Sequence, residues 1–514
     1  MKTLSDKDLN ELHSRAAAWF ANHDYYEDSV KHWLLAEEYD QAAKLVVGAA
    51  SQMLDQGKFY DLRSLLEQFP DEAFDGRPWL SMFRGWACFM LEPDEIENWL
   101  TRSESDIRKH RKNKDISPAE VDEILGNIFA IRAFNASRTA DHGTAKDLAS
   151  QALQLLPEQD TKVRGIVVNA LGVSCMIQGE KKEALAYFME GKTILRKGGN
   201  IGATADALQR AGGIQKDLGR LHLASNAFRE AISLKKYRSG EPCYTSQGYT
   251  GLGEVLFEWN EIEEAFQNFK IGYRFSQRMG AETQIFCAMP LTHAWMEMGE
   301  IGKAEEILNR YTQFIGNPML GPQPESQLVA RHIHWLALTG ERRAVGHLVA
   351  SRGITLEGTQ EVSREPEFAA YARYLLMCGE LKQAVHLTSI LERNMAAVDC
   401  AGRQIGLLAI KATALRLLGE NVSAINNAAR LVNLAAPSGY IRTFVSLGEP
   451  MLELLVDLSK KPTADDYHLD RVYLGEVISA FISSPEKGFV QNPVRSMVTQ
   501  EQAAIPGLMV EPLT

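Results

Sequence analysis

A chain of 514 residues is longer than one compact hydrophobic core usually serves, so it either divides into domains or grows as a linear repeat. Apolar residues make up 45% and charged residues 24%, and a net charge of −11 argues against a chain whose main task is to coat nucleic acid, because counterion release needs a basic surface. The polar start MKTLSDKDLNELH has no signal core, no stretch reaches the length of a membrane span, and the six scattered cysteines form no CxxC pair; a cytoplasmic protein with reduced thiols is expected.

In chain order, residues 1–78 read as amphipathic helices forming a linker and first hairpins. Ala17, Asp24, Ser29, Trp33 and Ala36 share a spacing that returns throughout the chain, and Pro70 and Pro78 interrupt it. Residues 79–445 carry the repeat proper. Leu171-Gly172 is followed by Gly179, Ala184, Phe188 and Gly191. Gly212, Gly219, Ala224, Phe228 and Ala231 repeat the ladder, as do Leu252-Gly253, Asn260, Ala265, Phe269 and Gly272. Weaker copies start at Thr292, Ala372 and Ala412, Ile333 begins a looser one, and Ala133 upstream fits as well, so the period is about 40 residues, in the range for two-helix repeats.

The spacing has a physical reading. Val168, Leu171, Gly172 and Cys175 share one face of a first helix, and small residues there let a second helix approach. Gly179 stands where the chain must turn. Ala184, Phe188 and Gly191 form the packing stripe of the second helix, with the aromatic ring filling the gap left by the small residues. A hairpin cannot bury its apolar face alone, so hairpins stack. The expected fold is all-α, a superhelical solenoid of tetratricopeptide-like hairpins. Residues 446–514 read as a C-terminal helix, near Tyr473–Phe481, and a proline-containing tail that either serves as a linker to a further domain or folds back on the solenoid.

The helix face opposite the packing stripe should line the concave wall. It carries Asn127, Phe134, Arg138, Asn169, Gln209, Lys216, Gln247, Thr250, Glu254, Phe257, Phe286, His293, Glu297, Gln327, His334 and Arg373. Amide, charged and aromatic groups mixed in this way suit a small polar or amphipathic effector, or a peptide. No metal site is expected: HExxH is absent, His332 and His334 point about 200° apart on a helix, and His293 with Glu297 is half a site without a second pair. No catalytic cluster of nucleophile, base and orienting group can be named, so no enzyme is expected. The basic run Arg108–Lys114 reads as a solvated helix end, or as a docking patch for an acidic surface.

Several stretches resemble the large ATP-binding LuxR-type (MalT-like) transcriptional regulators. They are Leu12-His13-Ser14-Arg15-Ala16-Ala17, Trp19-Phe20, Leu65-Leu66-Glu67-Gln68-Phe69-Pro70, Arg77-Pro78-Trp79-Leu80 and Gly439-Tyr440-Ile441-Arg442-Thr443-Phe444. Val510–Thr514 is similar to the lead-in to that family's helix-turn-helix. The resemblance implies a sensor region that couples an effector or regulatory protein to activation, with self-association in the active state. ATP would belong to an N-terminal module and DNA contact to a C-terminal one. Neither a GxxxxGK[ST] loop nor a helix-turn-helix occurs here, and the stop at Thr514 reads as truncation of a longer regulator. The alternatives are a standalone scaffold holding a protein segment in its groove, and a hydrolase accessory domain.

Overall fold

The computed structural model describes residues 6–483 except 24, 56–58, 89–94, 114–115, 138–141, 238–242, 318–319, 360 and 462–468. Among these residues every regular element is a helix, and many consecutive helices pack against one another, as Thr161–Gln178 does against Lys181–Lys197 and Ser246–Glu258 against Ile262–Ser276. Two compact units result, Met1–Ala207 and Leu208–Thr514.

The hairpin pattern rests on the predicted complementarity of glycine and phenylalanine. A Cβ placed on Gly172 would lie 2.8 Å from the Phe188 ring, on Gly212 2.6 Å from Phe228, and on Gly253 2.7 Å from Phe269. No side chain larger than hydrogen fits there without displacing the ring. The three rings are at most 3% exposed. The inter-helix turn is equally specific. Helix Thr161–Gln178 ends with Gly179 at φ +82°, its N–H bonded to the Met176 carbonyl while Glu180 N–H reaches Cys175. That is the Schellman arrangement, which satisfies carbonyls left over at the helix end. Asn260 fills the same place at φ +64° without being glycine, a conformation that asparagine tolerates better than most residues. Gly179→Ala is expected to cost about 1–2 kcal/mol from the left-handed backbone alone, measured as a lower urea midpoint.

In the first unit, Asp6–Ala21 packs against Tyr26–Leu35, where Ala17 and Ser29 of the ladder meet; Asp24 lies outside the described residues. Ser29 Oγ donates to the Ala17 carbonyl at 2.9 Å, and His13 Nδ1 lies 2.8 Å from His32 Nδ1. The core then runs through Leu62, Leu80, Leu100, Ile124 and Ile131. The described part of the basic run lies on helix Ile96–Asn113. Lys109 pairs there with buried Asp106, which also accepts from Gly76 N–H. The side chains of residues 111–114 lie outside the described residues.

The second unit closes on itself. Leu221 N–H donates to Ser438 Oγ, Trp259 Nε1 donates to the Ser438 carbonyl at 2.9 Å, and Ile441 N–H donates to the Glu258 carbonyl at 2.8 Å. The segment Ala436–Leu447 is thus fastened to helix Ser246–Glu258 and its following turn. The helix expected near Tyr473–Phe481 is Arg471–Ser483, and it does fold back: Tyr473, Leu474 and Val477 are buried in this unit's core, with the Tyr473 hydroxyl bonded to the Tyr440 carbonyl. Val510–Thr514, the expected lead-in to a further domain, lies outside the described residues.

Candidate functional site

A cavity of about 240 Å³ opens within the second unit. It is smaller than the roughly 300–1,000 Å³ typical of sites for drug-sized ligands. Four helices present it with one face each, at the three- and four-residue spacing that aligns side chains on a helix. Helix Ala281–Glu297 gives His293 and Glu297, and helix Pro322–Thr339 gives Arg331 and His334. Helix Glu365–Met377 gives Ala369, Arg373 and Met377; helix Ala401–Leu417 gives Arg403, Leu407 and Ile410. Phe257 and Glu258 come from the end of Ser246–Glu258, and Arg442, Thr443 and Leu447 come from the segment that closes the unit.

The charges are unevenly matched. Arg373 and Arg442 share the carboxylate of Glu297, at 2.7 and 3.6 Å. Arg403 has two acidic neighbours, Asp217 at 3.3 Å and Glu365 at 3.4 Å. Burial opposes its charge, but these carboxylates outweigh burial and raise its pKa. Glu258 accepts bonds from Thr443 N–H and from its hydroxyl. Arg331 finds no carboxylate partner among the described residues, and its buried Nε has no hydrogen-bond acceptor. Burial first, and the Arg373 charge second, push its pKa down to about 10. Arg442 Nε and His293 Nδ1 are also buried without partners.

His293 and His334 stack loosely, ring centres 5.6 Å apart, and both are held well below the ordinary imidazole range, mainly by burial and then by the surrounding arginines. Both are therefore neutral in the folded chain at neutral pH, whereas the unfolded chain takes up their protons as pH falls below about 6.5. The stability this provides is present above that pH and declines below it. Glu258 and Glu365, whose pKa values are raised by burial, act in the opposite direction on the acid side. A comparison with His293→Asn/His334→Asn isolates the imidazoles. The unsubstituted chain should lose more stability than the double variant between about pH 7 and 5.5 in parallel urea titrations; equal losses would contradict the assignment.

His293, Glu297 and His334 bring one donor atom each within 4.8 Å of one another, so the structure adds a third donor to the half-site read from sequence. The surroundings oppose a dication. Glu297 is already engaged by two arginines, and Arg331 stands beside both imidazoles. His332 is turned away as helix geometry requires, onto Thr312 and the Leu328 carbonyl.

Of the concave residues expected from sequence, the structure gathers Phe257, His293, Glu297, His334 and Arg373 at the cavity. Lys216 and Glu254 pair with each other at 2.5 Å, and Glu254 acts on Arg331 at longer range. Asn127, Asn169, Gln209 and Thr250 are buried between helices. Asn127 accepts from Trp86 Nε1, Asn169 donates to the Ala203 carbonyl, Gln209 spans Tyr244 and Gly248, and Thr250 bonds the Ser246 carbonyl. Phe134 packs against the first unit's core, while Gln247, Phe286 and Gln327 are half-buried outside the cavity lining. Arg138 lies outside the described residues. Sequence reasoning missed Arg331, Arg403 and Arg442. Arg331 was reachable, since it lies four residues after Gln327 and three before His334 on one helical face.

Stacked helical hairpins of this period, packed through a small residue against an aromatic ring, define a tetratricopeptide-type repeat protein. The profile described as the MalT-like TPR region matches residues 126–461, and the chain belongs to that family. Over 486 residues the chain is 21% identical to the HTH-type transcriptional regulator MalT of Cronobacter sakazakii, covering 90% of this chain and 51% of that protein. A stretch of 179 residues is 32% identical to the serine/threonine-protein kinase PknK of Mycobacterium tuberculosis, 34% of this chain and 15% of the kinase. The chain thus spans about half the length of the MalT relative and a smaller share of the kinase. Among solved structures, a Rap protein complexed with competence and sporulation factor is similar at a TM-score of 0.43 and 11% identity, over 77% of this chain and 99% of that one.

Proposed function

We propose that this chain is the effector-binding sensor region of a transcription regulator, and that the cavity of the second unit is its input. Membership of the MalT-like TPR family supports a regulatory role. The observation that carries the site is the set of buried, unpartnered donors and acceptors around one cavity: Arg331 Nε, Arg442 Nε and His293 Nδ1. Buried polar atoms are seldom left unsatisfied, because each costs free energy until a partner arrives. A ligand supplying those partners stabilises the conformation that holds them in place. The cavity draws on helices from both ends of the unit, so its occupancy bears on how that unit closes. Regulation then follows from the effector's differential affinity for two states of the unit.

Binding is favoured over turnover. Among the described residues neither cavity histidine holds a hydroxyl or thiol in a hydrogen bond, so no activated nucleophile is formed there. Nucleotide binding and DNA contact are assigned in this reading to regions of a longer regulator outside these 514 residues. No helix among the described residues is long and apolar enough to cross a membrane, and no disulfide joins the cysteines; a cytoplasmic setting is part of the proposal.

The test is a thermal-shift screen of a metabolite library on the full chain. At least one compound should raise Tm saturably, and the shift should disappear when Arg373→Gln alters the cavity. A library with no such compound, or a shift indifferent to the cavity variant, would count against the reading.

A further inference from the structure

Resting on that reading of the cavity, we infer that its occupant is a small oxyanion, a molecule carrying a carboxylate or phosphate group that docks on Arg331, Arg373 and Arg442. Three guanidinium groups surround this part of the site, with Glu297 the one carboxylate within ion-pair distance of Arg373 and Arg442 and no such partner for Arg331 among the described residues. Arg442 is 7% exposed, yet its Nε is unpartnered. Arg331 is half-buried, its Nε is shut off from solvent and unpartnered, and it has no carboxylate within ion-pair distance among the described residues; an incoming anion would supply the missing partner. Guanidinium N–H groups match a carboxylate or phosphate two bonds at a time, which a neutral polyol cannot reproduce.

The companion groups fit the same occupant. His293, kept neutral, has a free Nδ1, which can donate to the anion in one tautomer. Phe257 lies under the Arg442 guanidinium at 5.2 Å and limits where that group can swing. Ala369, Met377, Leu407 and Ile410 supply apolar wall for a short carbon skeleton. The volume of about 240 Å³ suits a small metabolite. The imidazole and carboxylate set that could hold a metal is crowded by the same arginines, which repel a dication as they attract an anion.

The experiment titrates the full chain with inorganic phosphate and, separately, with pyruvate, at constant ionic strength maintained with sodium chloride. Glucose serves as the neutral probe and zinc chloride as the metal. Binding is read by calorimetry and by Tm. Phosphate or pyruvate should bind saturably where chloride does not, and which of the two binds identifies the headgroup. Arg331→Met should weaken that binding at least about tenfold, the loss of a charge-assisted hydrogen bond. The same variant should leave the unliganded Tm unchanged or higher, a result that a purely structural Arg331 would not give. Arg331→Lys, which keeps the charge but loses the planar fork, should fall between the two and serves if the methionine variant does not fold. Saturable binding by glucose or zinc alone, by neither anion, or undiminished in Arg331→Met overturns the inference. If the anions fail while the metabolite screen yields a neutral compound sensitive to Arg373→Gln, the input site stands and only the ligand class falls; if both fail, the site reading falls with it.

Discussion

Phe228→Ala is expected to destabilise the second unit by about 3–5 kcal/mol, the cost of removing a fully packed aromatic side chain. The ring is 3% exposed and sits between two glycines, so that a Cβ on Gly212 would approach it to 2.6 Å and one on Gly251 to 2.4 Å. It therefore joins its own hairpin to the next one, and its loss opens a void against two helices at once. Volume should be partly exchangeable across the contact. Phe228→Leu/Gly251→Ala should be less destabilised than the sum of its single variants, because the new methyl enters the space the ring gives up. Urea unfolding followed by circular dichroism reads both effects, and strictly additive losses would mean that ring and glycine do not share that space.

Glu297→Gln should cost about 3 kcal/mol or more, since removing one partner of a buried ion pair leaves the other charge uncompensated. Glu297 is the shared acidic partner of Arg373 and Arg442, and its side chain is 6% exposed. The loss should be larger than that from Glu453→Gln, whose side chain is 55% exposed beside Arg416, because exposed pairs contribute little. Equal effects in the same unfolding assay would remove the special status given to the cavity charges. An anion bound at the cavity should return part of the Glu297→Gln loss by supplying the missing negative charge.

The repeat was legible because its determinants are local. Gly172 and Phe188 lie on adjacent helices of one hairpin, and both the glycine gap and the left-handed turn at Gly179 leave marks at fixed offsets. Family membership was legible from short stretches such as residues 439–444, which lie inside the matched region and help to fasten the second unit through Ile441 N–H and the Glu258 carbonyl. The cavity was only partly legible. Helical periodicity tells which side of a helix faces away from its own hairpin, and so it found His293, Glu297, His334 and Arg373. It does not tell whether a neighbouring hairpin or loop then covers that side. Asn127, Asn169, Gln209 and Thr250 are covered in this way; the first three cross-link separate elements, while Thr250 bonds the Ser246 carbonyl of its own helix. Arg403 and Arg442 could not be placed from spacing, because their roles depend on closure of the unit: Arg403 meets Asp217 across 186 residues, and Arg442 reaches Asn260 across 182. In sequence Arg403 looks like an ordinary charge on a solvated helix, and Arg442 stands out only as part of the stretch 439–444.

The most direct measurement is hydrogen exchange of the full chain with and without the compound found to stabilise it. Slowed exchange is expected to concentrate in Ala281–Glu297, Pro322–Thr339, Glu365–Met377, Ala401–Leu417, the end of Ser246–Glu258 and the segment 442–447, the elements that meet at the cavity. Protection confined to residues 6–207, or spread without preference over both units, would contradict the claim that the second unit holds the input site.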